Sequence, residues 1–374
     1  MTENRGIQAL EERVLRRDLC TMCGACSSLC PYLRSWKGRI VKLHECDLPE
    51  GRCFAYCPRS EADLDALHKA VFGRGYEEWA MGPVRRVLMA RASEERVRRR
   101  AQSGGVVSAL VIHALDTRLV DAAVMTQRDA EHLPFGRICR SPEEVLACRG
   151  SSYVAGATLE ALNAGPWDGQ ERIATVGIPC QVLALAKMMA SPLERKTPVD
   201  RISLVIGLFC TWALAYRPFL DFLRTRLKGE EIAKMDITPP PERTLKVTTP
   251  RGLWGIPLDE IRPFIRPACG VCHDMTSELS DVSVGTVEGL EGWNTVLVRS
   301  EKGERLVSGA EASGAIETRP LPQENASHLR EASVLKKRRA LTALRERGEL
   351  ESGYLILSPD LVRRILLSSE EGCP

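Results

Sequence analysis

Aromatic residues are scarce, 5% of 374 positions, and no apolar run approaches the roughly 20 residues that span a bilayer. The opening residues Met1-Thr2-Glu3-Asn4-Arg5 are polar and lack the apolar core of a secretion signal. The net charge of +3 is too small to argue for a nucleic-acid partner. These absences exclude a transmembrane segment and lead us to expect a cytoplasmic protein, at most peripheral to a membrane complex. Hydrophobic residues at 44% and charged residues at 27% describe an ordinary globular chain, long enough for two or three domains.

Cysteine is the exception to this plainness. Fourteen are present, and in a reducing compartment metal explains them better than disulfides. The chain is organised around Arg266-Pro267-Ala268-Cys269-Gly270-Val271-Cys272-His273-Asp274. This Cys-x-x-Cys pair has no second pair beside it, and a cubane or a tetrahedral metal needs more than two ligands. Cys180, in Gly177-Ile178-Pro179-Cys180-Gln181, and Cys210, ending Leu204-Val205-Ile206-Gly207-Leu208-Phe209-Cys210, each follow a strand-like stretch. Strand ends in α/β proteins converge on one sheet edge. Cys180, Cys210, Cys269 and Cys272 therefore read as one four-thiolate site built from three distant segments.

Near the N-terminus, Cys20-Thr21-Met22-Cys23-Gly24-Ala25-Cys26-Ser27-Ser28-Leu29-Cys30-Pro31 is C-x2-C-x2-C-x3-C-P, the bacterial ferredoxin run. A zinc knuckle is the competing reading. Cys46, Cys53 and Cys57-Pro58 repeat the ending of that run. By the usual exchange of the last cysteine, Cys57 completes the cube of Cys20, Cys23 and Cys26. Cys30, Cys46 and Cys53 then hold a second cluster that is one thiolate short. Asp47 or His44 as a non-thiolate ligand, or a [3Fe–4S] cluster, would each account for this; a single cluster with stray cysteines is the plainer alternative.

Residues 1–17 read as a charged helix, and residues 60–82 as a helix followed by a turn-rich linker. Strands are expected at 87–90, 121–125, 173–176, 204–210, 280–285 and 293–298, with several short ones over 232–258. Helices are expected over 94–100, 181–190, 214–228 and 322–350. The Gly104-Gly105 pair opening a helix lets backbone N–H groups approach a phosphate or an isoalloxazine edge. The run Lys336-Lys337-Arg338-Arg339 reads as a solvated helix face. The tail from Glu351 reads as a short helix with no assigned role. Cys139, Cys148 and Cys373 fall outside any ligand pattern, the first two reading as buried thiols, and His113 as a satisfied core residue.

Several stretches resemble the family of beta subunits of coenzyme F420-reducing hydrogenase. They are Ala101-Gln102-Ser103-Gly104-Gly105-Val106-Val107, Arg149-Gly150-Ser151-Ser152-Tyr153, the Cys180 and Cys210 turns, and Cys269 through Gly285 to Gly292-Trp293-Asn294-Thr295-Val296 and Arg299. The N-terminal module is similar to that of the F420H2-oxidising subunit of membrane dehydrogenase complexes. The resemblance implies FAD held by the Gln102–Ser108 loop (Gln102, Ser103, Gly104, Gly105, Ser108), the Gly150–Tyr153 turn (Gly150, Ser151, Ser152, Tyr153) and the Gly285–Trp293 loop with Asn294 and Thr295. It also implies one [4Fe–4S] cluster on Cys180, Cys210, Cys269 and Cys272, hence three clusters in all. Ser152 stands where the family commonly has lysine, which removes a cation from beside the flavin.

The fold expected is α/β, with an α+β flavin domain, an N-terminal ferredoxin-like two-cluster domain and a helical C-terminal tail. The divisions are 1–80, 84–165, 166–320 and 321–374. The function expected is hydride exchange between coenzyme F420 and FAD, with single electrons passed through the clusters to partner redox subunits. A ferredoxin-dependent reductase of another small organic substrate, and a pure electron-transfer adaptor, are the alternatives. No catalytic triad is evident, and no residue is assigned an acid–base role.

Overall fold

Short Val- and Ile-rich segments buried on both faces are the mark of interior parallel strands, and Ile173–Gly177 is buried at every position. The structure, a computed structural model, describes residues 4–148, 150–193, 197–238 and 242–368. Arg149 and Cys373 lie outside the described residues.

The main sheet has eight strands. In chain order they are β1 (Arg86–Ala92), β2 (Ala122–Arg128), β3 (Pro134–Cys139), β4 (Ile173–Gly177), β5 (Ile202–Leu208), β6 (Val282–Thr286), β7 (Asn294–Val298) and β8 (Ile316–Arg319). The helices used below are α1 (Leu64–Phe72), α2 (Val106–Asp116), α3 (Pro179–Ala190), α4 (Gln323–Glu346) and α5 (Pro359–Leu367). The spatial order is β8-β1-β7-β6-β5-β4-β2-β3. β2, β4, β5 and β6 run parallel, and β1, β3, β7 and β8 join by antiparallel pairing. The chain is thus of mixed α/β class.

Six of these strands stand where the sequence pattern puts them. β3 and β8 are additional. β3 begins with proline and contains Gly136, and β8 reads Ile-Glu-Thr-Arg. Both are outer strands, where proline and polar residues are tolerated and the apolar pattern is weak. Over 232–258, three antiparallel strands form a separate sheet whose inner face packs on Phe219, Leu220 and Leu223.

Residues 4–80 do not pack apart from the sheet. Ile7, Leu10, Leu33, Phe54, Tyr56 and Leu64 share one buried core with Leu159, Val182, Leu185, Val205 and Leu341. The stretch before Val84 reads as a linker because of its glycines, but it is anchored. The Tyr76 hydroxyl donates to Glu278 Oε2 at 2.7 Å, and Arg299 donates to the carbonyls of Met81 at 2.7 Å and Pro83 at 3.0 Å. The C-terminal tail gains a role as well. Leu355–Ile356 pairs in parallel with Ala62–Asp63, so the tail is tied to the segment that leads into α1.

The basic run on α4 departs from the sequence expectation. Lys336 and Lys337 are buried, at 4% and 1% exposure, while Arg339 faces solvent. A run of four cations cannot occupy one face of a helix with 3.6 residues per turn, and here half of it turns inward. Lys337 forms a buried ion pair with Glu278.

Candidate functional site

Parallel pairing of β4 with β5 sets Gly177 beside Gly207. Cys180 and Cys210 each lie three residues further on, at the same carboxyl edge. Cys210 is fixed there by its amide, which donates to the Met275 carbonyl at 2.9 Å. The Cys269–Cys272 turn reaches the same place from the segment before β6. The Ala213 amide donates to Cys269 Sγ at 3.3 Å. Cys180, Cys210, Cys269 and Cys272 all lie within electrostatic reach of one another: each of the other three disfavours a thiolate at Cys210, and Cys269 and Cys272 disfavour one at Cys180.

The N-terminal thiols fall into two further groups. Cys23, Cys20 and Cys57 each act on Cys26, while Cys30 and Cys46 act on Cys53. Cys26 and Cys53 also feel one another, so the two groups adjoin. The Met22 amide donates to Cys20 Sγ at 3.5 Å and the Arg59 amide to Cys57 Sγ at 3.4 Å. His44 and Asp47 are exposed on either side of Cys46. Cys23 is in turn coupled to Cys180, which brings the first N-terminal group against the thiols at the sheet edge.

Burial pushes Cys57 up to about 11 and Cys53 and Cys180 up to about 12. Cys23, Cys26, Cys210 and Cys269 are raised for the same reason. At Cys272 burial acts upward too, but Lys336 and Arg59 outweigh it and take the thiol below its ordinary value.

Three buried cations stand among the thiols. Lys187 donates to the Cys57 carbonyl at 2.7 Å, Ser60 Oγ at 2.7 Å and the Glu61 carbonyl. Lys336 donates to the Cys210 carbonyl at 2.6 Å. Arg59, 2% exposed, donates to the carbonyls of Pro58 at 3.1 Å and Ala268 at 3.2 Å. Among the described residues none of these three forms an ion pair with a carboxylate. A buried charge without a counter-charge is strongly destabilising; cysteines lead the groups that favour the cation at Lys187 and Lys336, with Glu61 and Asp274 also acting. Metal binding removes thiol protons outright.

Among the described residues no three His, Cys, Asp or Glu side chains close around a single metal ion. One tetrahedral ion draws sulfurs to about 2.3 Å from a common centre, whereas a cubane gives each thiolate its own iron. Buried thiols accepting amide hydrogen bonds, with three cations close by and Asp274 the buried carboxylate within electrostatic reach of Cys272, suit the second arrangement in their donor chemistry.

The loops implied for a flavin also converge. Gln102 Nε2 donates to Tyr153 Oη and to Asp236 Oδ1, both at 2.7 Å, and the Ile237 amide donates to Tyr153 Oη at 2.8 Å. Ser103 Oγ donates to the Trp293 carbonyl at 2.7 Å. Asn294 accepts from the Val106 amide at 3.4 Å and donates to the Gly285 carbonyl at 3.0 Å. Thr295 Oγ1 donates to Thr286 across the β6–β7 pair, and Ser152 Oγ donates to the Val154 carbonyl. Gly150 has a left-handed φ of +79°, Ser151 adjoins it half-buried, and Ser108 stands in the first turn of α2. A Cβ on Gly104 would stand 2.7 Å from Asn294 Oδ1 and 3.0 Å from the Ala90 and Gly292 carbonyls. Here three backbone segments meet with no room for a side chain. Gly285 owes its lack of a side chain to Phe209, whose ring would lie 1.9 Å from a Cβ. Asp236, Arg59, Lys187 and Lys336 escape a reading by motif. The signal for Arg59 was its place just after Cys57-Pro58; the lysines carry none.

Cys139 and Cys148 lie with sulfurs 3.6 Å apart, away from these groups, and His113 is largely buried against Ser313.

Buried thiols and cations gather at the carboxyl edge of the sheet in this mixed α/β protein. Within that class the chain belongs to the family of coenzyme F420 hydrogenase/dehydrogenase beta subunits, whose N-terminal part matches residues 87–163 and whose C-terminal part matches residues 170–324. It is 28% identical over 276 residues to the coenzyme F420 hydrogenase subunit beta of Methanothermobacter thermautotrophicus, covering 72% of this chain and 97% of that one. It is 28% identical over 300 residues to a subunit of the F420H2 dehydrogenase of Methanosarcina mazei, covering 78% of this chain and 82% of the relative. A chain of the F420-reducing [NiFe] hydrogenase complex from Methanosarcina barkeri superposes with a TM-score of 0.66 at 26% identity, covering 72% of this chain and 94% of that one. The family is one of oxidoreductase subunits. Among the described residues no helix is long and apolar enough to cross a membrane.

Proposed function

We propose that the protein is an FAD- and iron–sulfur-containing oxidoreductase subunit that exchanges a hydride with coenzyme F420 and hands single electrons to a partner redox subunit. A flavin, when bound, trades two-electron hydride for single electrons, which iron–sulfur clusters carry. The observation that supports this most is the adjacency of the thiol groups. Cys180 belongs to the edge that also bears the Gly104 and Gly285 loops, and it lies within electrostatic reach of Cys23. The chain's residues thus line a route from the sheet edge to the N-terminal cysteines. In this reading Cys180, Cys210, Cys269 and Cys272 hold one [4Fe–4S] cluster, Cys20, Cys23, Cys26 and Cys57 a second, and Cys30, Cys46 and Cys53 most of a third. Gln102, Ser103, Gly104, Tyr153, Asn294 and their neighbours shape the flavin site. Lys187 and Lys336 supply positive charge beside the thiolates.

The test is anaerobic and spectroscopic. Reduced F420 should bleach the flavin absorbance of the purified protein, and NADH and NADPH should not. Bleaching by a nicotinamide, or none by reduced F420, would refute the assignment of the donor.

A further inference from the structure

Arg59 lies where the first N-terminal thiol group meets the one at the sheet edge. It follows Cys57 by two residues, and its guanidinium reaches the Ala268 carbonyl, next to Cys269, at 3.2 Å. The group stacks on the Tyr354 ring at 4.6 Å, and the Tyr354 hydroxyl donates to the Val271 carbonyl at 2.6 Å, inside the Cys269–Cys272 turn. Arg59 Nε is buried with no hydrogen-bond partner. The cation favours the thiolate form of Cys57 on one side and of Cys180, Cys269 and Cys272 on the other. It is not among the leading influences on Cys53.

A guanidinium is always charged, so Arg59 is a fixed positive charge shared by two thiolate groups. A cluster that gains one electron gains one negative charge, with no proton taken up and no bond broken. A nearby fixed cation stabilises that reduced state. We propose that Arg59 is the positioning residue that raises the reduction potentials of the two adjoining clusters together and so keeps the step between them nearly level. The inference rests on the proposed function, because it requires those clusters.

The magnitude follows from Coulomb's law. A unit charge about 12 Å from the centre of a cluster, at an effective dielectric of about 20, changes the reduced-to-oxidised ratio on the order of tenfold. Tenfold is 59 mV for a one-electron couple.

The experiment is an EPR-monitored redox titration of the whole anaerobic protein, with dithionite as reductant. Arg59→Gln should lower two of the three cluster potentials by roughly the 59 mV that corresponds to tenfold for one electron and leave the third in place. Arg59→Lys, which keeps the charge and loses the fork of donors, should restore most of the shift. Arg59→Met gives a second measure of charge removal should the Gln variant fold poorly. A merely structural role would destabilise the protein without this selective pattern. Unmoved potentials, or equal shifts in all three, would overturn the proposal. Iron and flavin are measured first in the unsubstituted protein. Absence of clusters there overturns the proposed function and this inference with it, whereas clusters with unmoved potentials overturn this inference alone.

Discussion

Lys337→Met is the sharpest perturbation of the packing that frames the site. Lys337 and Glu278 pair with side-chain exposures of 1% and 2%, and Glu278 also accepts from Tyr76 at 2.7 Å. Methionine keeps most of the aliphatic stem, so little cavity arises. What remains is a carboxylate in the interior with a single hydroxyl donor. Removing one partner of a buried pair costs about 3–5 kcal/mol, against ~0–1 kcal/mol for an exposed one. The double variant Lys337→Met/Glu278→Gln removes both charges and leaves an amide oxygen for Tyr76, so it should recover most of the loss. Urea titration of the anaerobic protein measures both, with the slope checked to be unchanged. A single-variant cost below roughly 1 kcal/mol would place Lys337 at the surface and refute the inward turn of α4.

Cys57→Ser should abolish the spectroscopic signature of the cluster on Cys20, Cys23 and Cys26 and spare that of Cys30, Cys46 and Cys53; loss of only the latter would refute the crossed pairing. Gly105→Val should deplete flavin and leave the N-terminal iron, because Gly105 has φ +76° and a Cβ there would stand 3.2 Å from Val97 Cγ1. The left-handed strain costs about 1–3 kcal/mol, and unchanged flavin absorbance would refute the placement. His68 is buried against Tyr76 at 4.5 Å, and burial pulls its pKa down to about 3. The unfolded state then binds the extra proton, so this contribution is complete above the unfolded value near 6.5 and is lost as pH falls toward 3. His68→Leu should flatten stability between those limits by several kcal/mol, on the order of 1.36 per pKa unit, and an unchanged acid limb would refute the burial.

Much of the sheet was legible because its interior strands are continuous apolar runs, such as Ile202–Leu208. β3 and β8 were not, since outer strands tolerate proline, glycine and charge. The meeting of Cys180 and Cys210 could be argued beforehand because parallel neighbours end together. The buried cations could not. Lys187 looks like any lysine of an apolar helix, and Lys336 and Lys337 look like a solvated run until the angle of α4 is known. The anchoring of residues 73–83 was hidden for a similar reason. Glycines and prolines announce turns, but Tyr76 pairs with Glu278 about two hundred residues away, beyond any local pattern.

The most direct measurement is the iron and flavin content of the protein purified without oxygen. The three proposed clusters, the third lacking one cysteine, should give about eleven or twelve irons per chain together with one FAD. About four irons would contradict the N-terminal clusters, and a colourless, flavin-free protein would contradict the account at its centre.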